Sequence, residues 1–318
     1  MPSVPSVPST VLCHLPDGYL RLGELEGLFP GVKFVRVPTS GPVPPGVSGE
    51  VLVTVAGPSD NLVDLLGRGV RWVHCTGHGV DHLPLGAFGD RLVTCSRGVS
   101  AAAIAEWVLA MILAWAKRLP GTWVDAPPEE WFLTRLDRLA EATVALVGLG
   151  SINLAVAERL VPFRCRILAV RRTPGSSPLP DVAVVASPAV AGAEADHLVL
   201  AAPLTPTTYH LVDDDLLDAA KPGIHLVNVA RGALVDQEAL RRALDEGRVG
   251  RASLDVADPE PLPEGHWLYE HPRVLFSPHV SWAGPGYLRR VADMFAKNLD
   301  RWLAGRPLEG LVDLAAGY

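Results

Sequence analysis

Hydrophobic residues along this chain fall in short runs separated by polar, glycine-rich or helical stretches, and the runs form two series. The first comprises Thr10 to His14, Phe34 to Val37, Val51 to Val55, Trp72 to Cys75 and Leu92 to Cys95. The second begins at Thr143 and continues with Arg166 to Val170, Val182 to Val185, His197 to Ala201, Ile224 to Val229, Ala252 to Val256 and Val274 to Phe276. Alternation of this kind predicts an α/β protein with two doubly wound parallel sheets, helices covering the faces of each.

Punctuation along the chain places several helices. Asn61 to Leu66 has Asp60 as a candidate N-cap; Asp213 to Lys221 stops at Pro222-Gly223; Gln237 to Glu246 is capped by Asp236 and stopped by Gly247. A long helix from about Ser100 ends near Leu119 at Pro120-Gly121, and a last one runs from about Tyr287 to Leu303. A final helix after a completed sheet predicts a return to the first unit. Residues 1–98 plus 285–318 would then form one domain and 99–284 the other, with a cleft between them. Between the two series, Thr122 to Ala140 is irregular and carries the pair Trp131-Phe132. Two readings stand for it: an apolar arm packed on its own subunit, or a dimer contact.

Composition narrows the class. The 318 residues, 48% hydrophobic and 20% charged, are those of a globular chain with room for two cores. With 28 basic against 35 acidic residues, no basic stripe for nucleic acid is expected. Cys13, Cys75, Cys95 and Cys165 form no C-x-x-C pair, which points to a reducing, cytoplasmic compartment and to neither zinc nor disulfides. Met1 to Pro8 lacks the basic and apolar parts of a signal peptide and is expected to be loose. The one long apolar segment, Val99 to Trp115, contains Glu106, whereas a spanning helix needs about 20 apolar residues, so no membrane association is expected. The cluster Asp213-Asp214-Asp215 reads as acids at a helix start, and no metal is expected.

The first candidate chemistry lies at the head of the second series. Thr143 to Val147 runs straight into Gly148-Leu149-Gly150-Ser151-Ile152-Asn153, a strand, a glycine-spaced turn and a helix start. That geometry aims backbone N–H groups and a positive helix end at one point, which suits a pyrophosphate. Two glycines alone mean little in a chain with 30, but the next strand ends at Arg171, 23 residues after Gly148, where a ribose-reading side chain belongs. Arg171-Arg172-Thr173 there would suit a 2′-phosphate, because guanidinium groups match phosphate with a planar fork of donors; a solvated charged turn is the alternative. The third glycine position holds Asn153. Its side chain should either push the helix outward or turn its amide toward the phosphates.

Later residues bring a resemblance. Asn228 to Asp236 (NVARGALVD), Leu254-Asp255-Val256 with Glu260-Pro261-Leu262-Pro263, and Ser277-Pro278-His279 resemble, in order and spacing, the successive signatures of the D-2-hydroxyacid dehydrogenase family. Gly77-His78-Gly79-Val80-Asp81, Ala105-Glu106 and Pro203 to Thr208 extend the similarity from about Val73 to Trp282. Gly-Ser-Ile followed later by Val-Arg-Arg is most similar to members that reduce glyoxylate or hydroxypyruvate with NADPH.

The resemblance implies a Rossmann cofactor domain, a flavodoxin-like substrate domain and a homodimer. It implies NADP as the preferred cofactor, with NAD possible, bound by Gly148, Gly150, Ser151, Ile152, Arg171, Arg172, Thr173, Pro203, Thr208, Ala230 and Asp255, the last near the nicotinamide amide. A 2-oxo acid needs a cation for its carboxylate and carbonyl and an acid for the new alkoxide. Arg231 answers the first need, and His279, held by Glu260, the second, since histidine titrates near working pH. Gly77, His78, Gly79, Arg231 and Trp282 are the implied substrate contacts, with Gly77 and Gly79 offering backbone N–H groups to an anion. The expected product is a D-2-hydroxy acid. Two other outcomes keep the same fold: a dinucleotide-sensing interaction protein, and a family member acting on another small anion such as phosphonate or formate.

Overall fold

The structure, a computed structural model, describes residues 9–318 except 21, 56, 58, 130, 133, 134 and 174; the expectation of a loose Met1 to Pro8 falls outside these. The chain divides into two compact units, residues 1–100 with 284–318 and residues 101–283.

The first unit runs β1 (Thr10–His14), α1 (Leu22–Leu28), β2 (Lys33–Arg36), β3 (Val51–Thr54), α2 (Leu62–Leu66), β4 (Trp72–Cys75) and β5 (Leu92–Cys95). Its five strands are parallel in the order β2-β1-β3-β4-β5. Every residue of β3 and β4 is buried, as expected of strands covered on both faces. Asp60 does not cap α2. Asn61 stands at the N-cap position, and the Asp60 carboxylate instead accepts the Gly41 N–H at 3.0 Å, tying down a preceding loop.

The second unit begins with α3 (Ala101–Ala116), followed by β6 (Thr143–Val147), α4 (Ser151–Leu160), β7 (Arg166–Val170), β8 (Val182–Val184), α5 (Pro188–Glu194), β9 (His197–Leu200), α6 (Asp214–Ala219), β10 (Ile224–Asn228), α7 (Gln237–Asp245), β11 (Val249–Leu254) and β12 (Val274–Phe276). The final helix, α8 (Tyr287–Leu303), belongs to the first unit, where Phe295 stacks on Trp72 with ring centroids 5.7 Å apart.

The second sheet has seven parallel strands in the order β12-β11-β10-β9-β6-β7-β8. Alternate residues build one core on each face: Leu198 and Leu226 on one, Val199 and Val227 with Ile104, Val108 and Ile112 of α3 on the other. The strand order reverses between β6 and β9, and in open α/β sheets ligands bind outside the carboxyl ends of the strands at such a point. Asp213 and Asp236 cap α6 and α7 as their spacing predicts, accepting N–H groups of Leu216 and of Glu238 and Ala239.

Among the described residues, no histidine, cysteine and carboxylate group is clustered as a metal would need, and no helix is long and apolar enough to cross a membrane. In the segment after α3, Trp123 and Trp131 are 74% and 61% exposed and Phe132 fully so. Packing of these rings onto their own chain is therefore not observed.

Candidate active site

Because all seven strands are parallel, the segments after β6, β7, β9, β10, β11 and β12 emerge at one edge of the second sheet. Nearly every residue implicated by sequence in that unit lies there.

The turn after β6 is shaped for close approach. Gly148 adopts φ +85, and a Cβ on it would come 2.8 Å from the Ala201 carbonyl oxygen. A Cβ on Gly150 would meet nothing within 4 Å, so the space over the start of α4 is open. Gly150 is the N-cap and supplies no side-chain cap to the first turn of α4, while Ser151 Oγ is enclosed without a hydrogen-bond partner among the described residues. Uncapped amides at a helix N-terminus, an unpartnered hydroxyl and open space are what a dinucleotide pyrophosphate requires, so the residues present fit that group.

Asn153 takes neither expected course. It is completely buried, and its Nδ2 donates to the carbonyls of Val147 at 3.1 Å and Gly148 at 2.7 Å. The amide thus braces the turn from beneath and does not point toward a phosphate. Its Oδ1 is enclosed with no partner among the described residues.

Arg171 directly follows β7, the neighbour of β6, with its Nη1 on the Ser176 carbonyl at 2.9 Å; Arg172 and Thr173 beside it are exposed. After β9, the Thr208 hydroxyl donates to the Pro203 carbonyl at 2.7 Å and receives the Thr205 N–H at 2.8 Å, so this threonine fixes the shape of its own loop.

The turn after β10 presents Arg231. The buried side chain of Asn228 spans it, donating from Nδ2 to the Arg231 carbonyl at 2.8 Å and accepting the Ala230 N–H at 3.0 Å. Gly232 lies flush against the next segment: a Cβ there would sit 1.9 Å from the Ala257 carbonyl carbon. No side chain fits, so this glycine brings the arginine turn down onto residues 255–257.

The segment after β12 carries His279, whose Nδ1 lies 2.8 Å from Glu260 Oε2. Glu260 Oε1 accepts the Ala257 N–H at 3.0 Å. Partial burial raises the Glu260 pKa, but the bonds from His279 and Ala257 and the charges of His279 and Arg231 outweigh it, so the carboxyl stays below its ordinary value. His279 has φ +53, a strained conformation for a branched-ring residue, and both of its peptide groups are held. Its N–H donates to the Asp255 carbonyl at 2.8 Å, and its carbonyl accepts Trp282 Nε1–H at 2.7 Å. A cation, a proton carrier and a carboxylate fixing that carrier are therefore gathered beside an anion-binding glycine turn.

Residues 109–281 match the family described as D-isomer specific 2-hydroxyacid dehydrogenase, NAD binding domain. The chain belongs to this family. It is 35% identical to a glyoxylate reductase of Thermofilum pendens over 74% of this chain and 72% of that one. It is 31% identical to the human glyoxylate reductase/hydroxypyruvate reductase, over 78% of each chain. Among solved structures, a D-isomer specific 2-hydroxyacid dehydrogenase from Xanthobacter autotrophicus Py2, in complex with NADPH and MES, superposes with a TM-score of 0.83 at 27% identity, covering 98% of this chain and 100% of that one. This D-2-hydroxyacid dehydrogenase is accordingly an NAD(P)-dependent oxidoreductase with two parallel-sheet α/β units.

The remaining sequence candidates, Gly77, His78 and Gly79, lie in the first unit, in the turn after β4. Gly77 accepts the Ser96 N–H through its carbonyl at 2.9 Å, and His78 Nδ1 accepts the Gly98 N–H at 3.4 Å. Cys75, at the end of β4, is buried and its thiol is pushed up to about 12, which makes it an inert packing residue. Sequence reasoning assigned no role to Asn228, Gly232 or Ser277. Asn228 and Gly232 flank Arg231, and Ser277 begins the Ser-Pro-His run, so proximity to a catalytic residue was the available signal.

Proposed function

We propose that this dehydrogenase reduces a small 2-oxo acid, such as glyoxylate or hydroxypyruvate, to the D-2-hydroxy acid, with NADPH preferred over NADH. The observation that carries the reading is the hydrogen-bonded His279–Glu260 pair in the same unit as Arg231 and the open glycine turn. Reductase names among the relatives support the substrate class.

In this reading Gly148, Gly150, Ser151 and Ile152 hold the pyrophosphate, Pro203, Thr208 and Ala230 line the rest of the cofactor path, and Arg171, Arg172 and Thr173 receive the 2′-phosphate. The reduced nicotinamide supplies the hydride. Arg231 binds the substrate carboxylate and polarises its carbonyl, a task for which a permanently charged planar donor is suited. His279 delivers the proton from Nε2 to the forming alkoxide, since Nδ1 is engaged with Glu260. Glu260 fixes the ring orientation and favours the protonated imidazole. In the oxidative direction neutral His279 takes the proton back. Gly77, His78 and Gly79 add backbone donors for the carboxylate, and Trp282 closes the pocket wall.

The exposed Trp123, Trp131 and Phe132 support a homodimer with this segment at its interface. Four unpaired cysteines favour a reducing, cytoplasmic location.

The test is a steady-state comparison of NADPH with NADH over glyoxylate, hydroxypyruvate, pyruvate and bulkier 2-oxo acids. Turnover on the small acids with NADPH ahead is expected; no oxidation of either cofactor with any acid would overturn the reading. Arg171→Asp should weaken NADPH far more than NADH, and equal effects would remove the 2′-phosphate assignment.

A further inference from the structure

Asp255 follows β11 and is fully buried, yet its carboxylate is saturated with donors from one short loop. Oδ1 accepts Ser277 Oγ–H at 2.6 Å and the Val280 N–H at 2.8 Å, and Oδ2 accepts the Ser281 N–H at 2.8 Å. The Asp255 carbonyl takes the His279 N–H at 2.8 Å. Four bonds that fix residues 277–281 thus converge on one residue. On its other side, the Asp255 N–H donates to the Asn228 carbonyl at 2.9 Å, and the Asn228 side chain braces Arg231. A continuous hydrogen-bonded path therefore joins the two catalytic turns across β10 and β11.

This arrangement asks for an aspartate. Both oxygens must accept, two of the three donors are immovable backbone amides, and an asparagine would set its own N–H groups against one side of the set. The loop it holds contains a residue at φ +53, and such a conformation persists only where the surroundings over-determine it.

We propose that Asp255 is a positioning residue, which directs the His279 imidazole by anchoring its loop and contacts neither the reacting atoms nor the nicotinamide amide. This rests on His279 being the proton donor. Ser277 is the adjustable part of the anchor, because its hydroxyl is the one side-chain donor among the three.

The test is Asp255→Asn, with Ser277→Ala and Ser277→Thr beside it. In ligand-free protein, amide exchange at Val280 and Ser281 should accelerate at least ten-fold in Asp255→Asn. With hydroxypyruvate, kcat should fall about 30-fold or more, KM should move less than three-fold, and the NADPH dissociation constant should stay within two-fold. The kcat penalty should be the same with the 3-acetylpyridine analogue of the cofactor, which lacks the amide. Ser277→Ala should show a smaller loss of kcat that Ser277→Thr restores; this pair carries the test if Asp255→Asn does not fold. A penalty that appears in the NADPH dissociation constant, or shrinks with the analogue, overturns the proposal by placing Asp255 at the nicotinamide. Unchanged exchange or unchanged kcat overturns it as well. A wild-type protein without turnover would sink the functional reading, while the exchange measurement would still decide whether Asp255 holds the loop.

Discussion

His279 Nδ1 and Glu260 Oε2 stand 2.8 Å apart, and the other oxygen of Glu260 is tied to the Ala257 N–H at 3.0 Å. The carboxylate therefore cannot swing with the ring: it is fixed to backbone on one side and fixes the imidazole on the other. This leaves Nε2 of His279 as the proton-carrying atom.

The pair makes a titration prediction. Glu260 has its pKa lowered in the folded protein, so the stabilisation from the pair is complete above the ordinary carboxylate range and disappears as pH falls through the lowered value. In His279→Ala the bond and the charge are lost, partial burial remains, and the Glu260 pKa should rise. Carboxyl-carbon NMR titration of wild type and variant measures this directly; a Glu260 pKa that is unchanged by the substitution would show that the contact is not made.

Asn153 offers a second check. Its Nδ2 holds two main-chain carbonyls of the cofactor turn from a fully buried site. Asn153→Asp would set a carboxylate against those carbonyls and should cost about 3 kcal/mol or more, since a buried acceptor loses its donors and a charge is left unpaired. Asn153→Gly removes the brace without adding repulsion and should cost about 1–2 kcal/mol. Chemical denaturation of the three proteins should rank wild type, glycine, aspartate. Equal stability of all three would mean that the brace is absent.

Gly232 permits the contact between the arginine turn and residues 255–257. A methyl group there would overlap the Ala257 backbone, with its Cβ 1.9 Å from the carbonyl carbon. Gly232→Ala must separate the two segments, so it should lose about 2–3 kcal/mol of stability and most of its kcat, because Arg231 and Glu260 ride on the displaced segments. Melting temperature and kcat together decide it, and a variant with wild-type values of both would contradict the close approach.

Buried histidines predict acid sensitivity. Burial lowers His74 to about 3 and His197 to about 4, and it holds His225 well below the ordinary histidine value. Each is tied by hydrogen bonds, His74 to Thr94 Oγ1 at 2.8 Å and His197 to His225 at 3.0 Å. In the unfolded chain they take protons near pH ~6.5. Their contribution is therefore intact above that pH and declines below it, by about 1.4 kcal/mol per pH unit for each histidine that stays neutral when folded. Melting temperature should fall between pH 7.5 and 5, and His74→Gln should reduce the slope. A flat profile over that range would contradict it.

The sheets were legible because strands buried on both faces write themselves as apolar runs: β1, β4, β5, β7 and β12 lie where the pattern puts them. Elements with a mixed signal were not. α1 carries Gly23 and Gly27, and α5 is a run of small residues whose start is set by the Ser187 side chain accepting the Val190 N–H, so neither shows a periodic apolar stripe. β11 begins at Val249, earlier than expected, because Gly250 and Arg251 do not look like strand residues; a Cβ on Gly250 would lie 2.6 Å from the Gly223 carbonyl oxygen. At the site, the residue types of Arg231, Glu260 and His279 announce their chemistry. The contributions of Asn228, Gly232 and Ser277 depend on contacts across strand ends, which one-dimensional spacing does not contain.

The most direct test of the account compares wild type with His279→Ala in the reduction of hydroxypyruvate by NADPH, with the product resolved by chirality. The prediction is D-glycerate from the wild type and a loss of roughly 100-fold or more in kcat for the variant, the scale expected when a general acid is removed. An L-product, or a variant that retains the wild-type rate, would contradict the assignment of His279 as the proton donor of a D-specific reductase.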